Sequence, residues 1–148
     1  MSYSPQYAPT PYRVLVIDSE RMILDLLGEV LAEEGARPTL VADLPGALAA
    51  LARERFDVIL ADTLDRRTTD VAFERWATLE AVKAVAGTTP VLLFSAHPAS
   101  AFAEGRARGF AGFIAKPFDL DALAQTLRVC AESARHERQR ADSTLAPT

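Results

Sequence analysis

The sequence predicts an α/β fold, a five-stranded parallel sheet with helices on both faces, and three observations predict it. Short apolar runs recur at Arg13–Ile17, Asp57–Ala61, Val91–Phe94 and Gly112–Ala115. They are continuous rather than alternating, the pattern of strands buried on both faces. Between them lie segments with apolar residues at helical spacing, and strands alternating with helices build a parallel sheet. Right-handed crossovers then leave few doubly wound orders. The order 2-1-3-4-5 is expected, because the second strand is the most polar and suits an edge.

The elements follow in turn. Residues 1–11, with Pro5, Pro9 and Pro11, lack periodicity and predict a flexible arm. Arg13–Ile17 is the first strand. A helix follows from about Glu20 to Glu34, with Met22, Ile23, Leu26, Leu27, Val30 and Leu31 as its apolar stripe and Gly35 as its stop. Ser19 suits the cap of that helix. The weaker second strand is Pro38–Ala42. Asp43 and Pro45 open a helix that turns Leu44, Leu48 and Leu51 inward. After the strand Asp57–Ala61, a polar stretch 62–69 leads into a helix from about Asp70 to Ala86, carrying Phe73, Trp76, Ala77, Leu79 or Glu80, and Val82. Val91–Phe94 is the fourth strand, and Ser100–Arg108 a short helix ended by Gly109. Gly112–Ala115 is the fifth. Asp119 caps a last helix with Leu120, Leu123, Leu127 and Cys130 on one face. The expected domain is 12–133, with 134–148 a frayed helix end and flexible tail.

At 148 residues the chain has the size of one domain. Its hydrophobic share of 49% supplies a core and excludes a wholly disordered chain. A single cysteine excludes an internal disulfide and a Cys-rich zinc site. No apolar run approaches the roughly 20 residues that span a bilayer. The net charge of −4 gives no general attraction to nucleic acid or anionic membrane. A cytoplasmic protein follows as the expectation.

In such a sheet ligands sit beyond the carboxyl ends of the strands, at the switch point between strands one and three. The residues following the strands are Asp18, Asp62, Ser95 and Lys116. Two carboxylates, a hydroxyl and an ammonium on one rim suit phosphoryl transfer. A carboxylate can attack phosphorus to give an acyl phosphate. Mg²⁺ takes oxygen ligands from one or two carboxylates, and a lysine and a hydroxyl hold phosphoryl oxygens. Asp62, closing the central strand, is the better nucleophile, with Asp18 the metal ligand.

Four segments carry a family resemblance: Val14-Leu-Val-Ile-Asp18, Asp57-Val-Ile-Leu-Ala-Asp62, Val91-Leu-Leu-Phe-Ser-Ala-His97 and Gly112-Phe-Ile-Ala-Lys-Pro-Phe118. From Tyr12 to Ser133 the chain resembles the response-regulator receiver domain, which has the flavodoxin-like fold. The resemblance implies a phosphoacceptor at Asp62, charged by a histidine kinase or phosphotransfer protein. It implies catalytic roles for Ser95 and Lys116, and Mg²⁺ held by Asp18, Asp62 and the backbone carbonyl of Leu64. It also implies a switch pair of Ser95 and Phe113, a cis peptide before Pro117, and signalling to a downstream protein through helix four, strand five and helix five. That face includes Phe102, Phe110 and Phe118 near Arg106 and Arg108, and because receivers that resemble this chain often dimerise through it, the resemblance implies a weak homodimer.

Two departures weaken the metal site. Where the family has a second acid this chain has Ser19, and Glu20 is the nearest substitute. The loop 63–69 lacks the family's Met-Pro, and places Arg66 and Arg67 there instead. Weak Mg²⁺ binding follows. The alternative reading is a degenerate receiver that binds proteins independently of phosphate. Enzyme readings fit less well. An aspartate-nucleophile phosphatase carries its pair of aspartates on the first strand, and a flavin site would meet carboxylates at Asp18 and Glu20. His97 and His136 are far apart in sequence, which disfavours a metal site there. Cys130 and Trp76 read as core, and the stretch Arg135–Arg140 is too mixed in charge for a nucleic-acid arm.

Overall fold

The computed structural model describes residues 11–63, 71–95, 98–116 and 118–145, with the side chains of 71–75, 98–100 and 142–145 outside that description. Its elements are β1 (Arg13–Ile17), α1 (Arg21–Glu33), β2 (Arg37–Val41), α2 (Leu44–Arg53), β3 (Val58–Asp62), α3 (Val71–Ala86), β4 (Val91–Ser95), α4 (Pro98–Ala107), β5 (Gly112–Ala115) and α5 (Leu120–Leu145). All strands pair in parallel, in the expected order β2-β1-β3-β4-β5. The N-terminal arm lies outside the described residues.

The apolar strands serve two cores, because successive side chains point to opposite faces. Val14, Val16, Val58, Leu60, Leu92 and Phe94 pack under α1 and α5. Leu15, Ile17, Ile59, Ala61, Val91 and Leu93 pack under α2 and α3. A strand covered on both faces has no solvent side to mark with polar residues. Helix α4 approaches its strands closely at Gly105, where a Cβ would lie 2.8 Å from Leu93 Cδ1 and from Phe113 Cε1.

Helix ends follow their local chemistry. Asp43 accepts the Gly46 amide at 2.8 Å, and Asp119 accepts those of Asp121 and Ala122 at 2.8 and 3.1 Å. Gly35 and Gly109 terminate α1 and α4 with φ of +89° and +85°, a conformation that costs glycine little. Ser19 does not cap α1. Glu20 occupies that position, and the Glu20 amide donates to Asp18 instead, at 2.8 Å.

Three expectations about helix faces are corrected. In α1 the buried residues are Leu24, Leu27 and Leu31, while Met22 is 82% exposed and Leu26 also faces solvent. The helix carries apolar residues around more than one face, and contact with β2 and α5 selects a single row. In α2 the buried residues are Ala47 and Ala50, with Leu44 and Leu51 half-buried beside them. In α3, Trp76, Leu79 and Val82 are buried and Ala77 is exposed.

The largest departure is α5, which continues without a break at residue 134 to Leu145. Its lower half is tied to Asp57, which is only 6% exposed at the start of β3. Arg138 Nη2 donates to Asp57 Oδ1 at 2.7 Å, and Arg135 Nη2 to Asp57 Oδ2 at 3.1 Å. The Arg13 amide adds a bond to Asp57 at 2.8 Å, and Arg135 also reaches the Pro11 carbonyl at 2.6 Å. Burial alone would raise the Asp57 carboxyl. The Arg13 amide and the guanidiniums of Arg138 and Arg135 outweigh it and hold the group below its ordinary 3.8.

The stabilisation from this lowered group is full above 3.8 and is lost as pH falls through the lower folded value. Asp57→Asn should therefore cost about 2 kcal/mol at neutral pH, since both arginines can partly rehydrate. It should also remove that acid limb. Urea unfolding of the two proteins between neutral and acid pH checks this, and an equal loss at every pH would refute the linkage.

Candidate functional site

The carboxyl ends of four strands bring Asp18, Asp62, Ser95 and Lys116 together, as expected. Asp62 and Ser95 are the last residues of β3 and β4, while Asp18 and Lys116 immediately follow β1 and β5. Asp18 and Ser95 are fully buried and Asp62 is nearly so. Backbone pairing continues past the strands and fixes the rim. The Asp18 amide donates to the Val41 carbonyl, the Thr63 amide to Phe94 and the Lys116 amide to Ser95, at 3.1, 3.0 and 2.8 Å.

Lys116 is the hub. Its Nζ lies 3.1 Å from Asp62 Oδ1 and 3.6 Å from Asp18 Oδ2. The ammonium also sits 4.4 Å from the centre of the Phe94 ring, a cation–π seat that the sequence reading missed. The only signal available was an aromatic residue one position before Ser95. Burial by itself would lower the Lys116 ammonium, but the Asp62 carboxylate and then Asp18 raise it above its ordinary value. Burial raises the Asp18 carboxyl, against the Glu20 amide and the Lys116 charge, which lower it.

Of the described residues on this rim, Asp18 has a buried oxygen with no hydrogen-bond partner, though Lys116 Nζ stays in ion-pair range of it at 3.6 Å. Asp18 Oδ1 accepts the Glu20 amide, whereas Asp18 Oδ2 accepts no hydrogen bond. A buried carboxylate oxygen in that condition, with Asp62 across the same lysine, is the donor chemistry of a hard cation, which takes one or two carboxylates and completes its shell with water. Asp18 and Asp62 could hold Mg²⁺ in this way. No cluster of three His, Cys, Asp or Glu capable of holding a metal occurs among the described residues. Ser19 is half-buried and Glu20 exposed, so Glu20 does not replace the missing acid in this conformation. Leu64, Arg66, Arg67, His97 and Pro117 lie outside the described residues.

Phe113 is half-buried on β5. Phe102 packs against it at 5.2 Å between ring centres, and the Arg106 guanidinium lies 5.0 Å from its ring. The aromatic face expected around it is largely spent on packing. Phe110 is buried against Trp76, Phe118 meets Phe94 edge-on, and Arg108 stacks 4.9 Å from Trp76 while pairing with Glu104. Cys130 packs against the core under α1 and α5, as expected, and burial pushes its thiol up.

Comparison with known proteins places this geometry in context. Residues 14–128 match the model of the response regulator receiver domain. Over 124 residues the chain is 30% identical to the probable transcriptional regulatory protein TcrX of Mycobacterium tuberculosis, covering 80% of this chain and 49% of TcrX. It is 27% identical to a putative response regulator, NtrX-like, of Rickettsia bellii, covering 87% of this chain and 27% of that protein. The chain thus spans half or less of the length of these relatives. Among solved structures, the chemotaxis response regulator CheY4 of Vibrio cholerae aligns with a TM-score of 0.65 at 29% identity, over 82% of this chain and 99% of CheY4.

Proposed function

The chain belongs to the response regulator receiver domain family, and on that premise we propose that it accepts a phosphoryl group on Asp62 from a histidine kinase or phosphotransfer protein. The family is a signalling family, whose members take part in two-component systems. The observation that carries the proposal is the buried triangle of Lys116 with Asp62 and Asp18, at 3.1 and 3.6 Å.

In the proposed step a carboxylate oxygen of Asp62 forms a bond to phosphorus. The P–N bond to the donor's phosphohistidine breaks, and its electron pair leaves on the imidazole. The Lys116 ammonium, already between the carboxylates, stays beside the new acyl phosphate and balances its charge. The Ser95 hydroxyl, at the end of the neighbouring strand, donates to a phosphoryl oxygen. Asp18 and Asp62, with the backbone carbonyl of Leu64 that the family resemblance implies, would hold Mg²⁺, which would supply positive charge for the phosphoryl oxygens. The altered state passes to a downstream protein by way of Ser95 and Phe113, the latter already in contact with α4. No helix among the described residues is long and apolar enough to cross a membrane, which suits a cytoplasmic role.

The test is incubation of the protein with acetyl phosphate and Mg²⁺ followed by intact-mass measurement. A phosphoryl adduct is expected. Its absence at saturating donor would overturn the acceptor role and leave a protein-binding module that works without phosphate.

A further inference from the structure

At the opposite pole, where the strands begin, the connections α2–β3 and α3–β4 enclose a cleft of about 510 Å³. With strands of five residues it lies about 16 Å from Asp62. Leu51, Arg53, Arg55, Val85, Thr88 and Arg138 line it. Its volume is in the range of small-molecule sites, and its lining carries three arginines against one acid, Glu54. Arg53 and Arg55 are exposed and pair with no carboxylate among the described residues. Glu54, the acid on the same wall, is committed elsewhere, to Arg13 at 3.6 Å and to the Thr39 hydroxyl at 3.0 Å. Arg138 is held by Asp57 at 2.7 Å through a single Nη, which orients its guanidinium at the edge of the cleft without using all five donors. Leu51 and Val85 add apolar surface to the lining, and Val85 is 54% exposed.

The geometry points to a second ligand site in this cleft, for a small anion with adjacent phosphate groups, gripped by Arg53, Arg55 and Arg138. Guanidinium forks suit phosphate oxygens better than a point charge does. The site is independent of the proposed chemistry at Asp62.

The test is amide NMR of the full chain in EDTA, at constant ionic strength, titrated separately with inorganic pyrophosphate and uridine diphosphate. Saturable shifts are expected at Arg55, Gly87 and Thr88, with the amides of Asp18 and Asp62 unmoved. Affinity should fall at least tenfold in the double variant Arg53→Gln/Arg55→Gln, since each lost charge-assisted bond accounts for about that factor. Both side chains are exposed, so the variant retains the fold. Tighter binding of uridine diphosphate assigns the apolar surface to the organic part of the ligand, and equal affinities assign the site to the phosphates alone. Shifts confined to Asp18 and Asp62, shifts that do not saturate, or an affinity unchanged in the double variant would overturn the site.

Discussion

Asp62→Asn should abolish the acyl phosphate, lowering the rate of adduct formation by on the order of 10³-fold or more, the scale of loss when a nucleophile is removed. The amide matches the carboxylate in shape but has no anionic oxygen to attack phosphorus. It also breaks the charge pairing with Lys116, whose Nζ lies 3.1 Å from Asp62 Oδ1. Lys116 keeps Asp18 within 3.6 Å, so the ammonium is not left unpaired and the fold should survive. Intact-mass measurement after acetyl phosphate treatment, with circular dichroism as the folding control, checks this. An adduct persisting on the folded variant would show that another side chain is the acceptor.

Ser19→Asp should tighten Mg²⁺ binding ten- to a hundredfold and speed phosphorylation at low metal. A carboxylate about 4 Å from a divalent ion contributes on the order of 8 kcal/mol gross at an effective dielectric near 20. Most of this is returned, because a water replaces the ligand in wild type and the new charge must be desolvated. Changes around a metal site commonly leave a net factor of 10–100. The starting site has two carboxylates and one ammonium, and the half-buried position of Ser19 puts a third acid at its edge. Calorimetry with MgCl₂ reads the change directly. If affinity stays the same, Glu20→Gln decides the reason: a loss in that variant shows Glu20 swinging in as ligand, and no loss shows that Asp18 and Asp62 hold no cation.

The sheet and its rim were legible because both depend on local sequence. Short continuous runs such as Val91–Phe94, bounded by turn residues, favour strands buried on both faces, and the residue after each strand is placed by the strand itself. Asp18, Asp62, Ser95 and Lys116 therefore met as expected. What depends on contacts distant in sequence was not legible. Nothing local in α1 distinguishes Leu24 from Met22, and only the packing of α1 against β2 and α5 does so. The lower half of α5 looked like solvated charge, because its partner Asp57 lies 78 and 81 residues away from Arg135 and Arg138. Phe110 and Arg108 looked like surface for the same reason, their partner being Trp76.

The anchoring of Arg135 and Arg138 gives α5 a second point of hold, off-centre along its length. At about 1.5 Å per residue, the arm from Leu120 to the anchor is about 25 Å and the arm beyond it to Leu145 about 12 Å. The buried residues of the helix, Leu123, Ala124, Leu127 and Ala131, all lie on the longer arm, which the core therefore grips along its length. The helix is thus held at two levels, by apolar packing toward the rim where Asp62 sits and by ion pairing at the opposite pole.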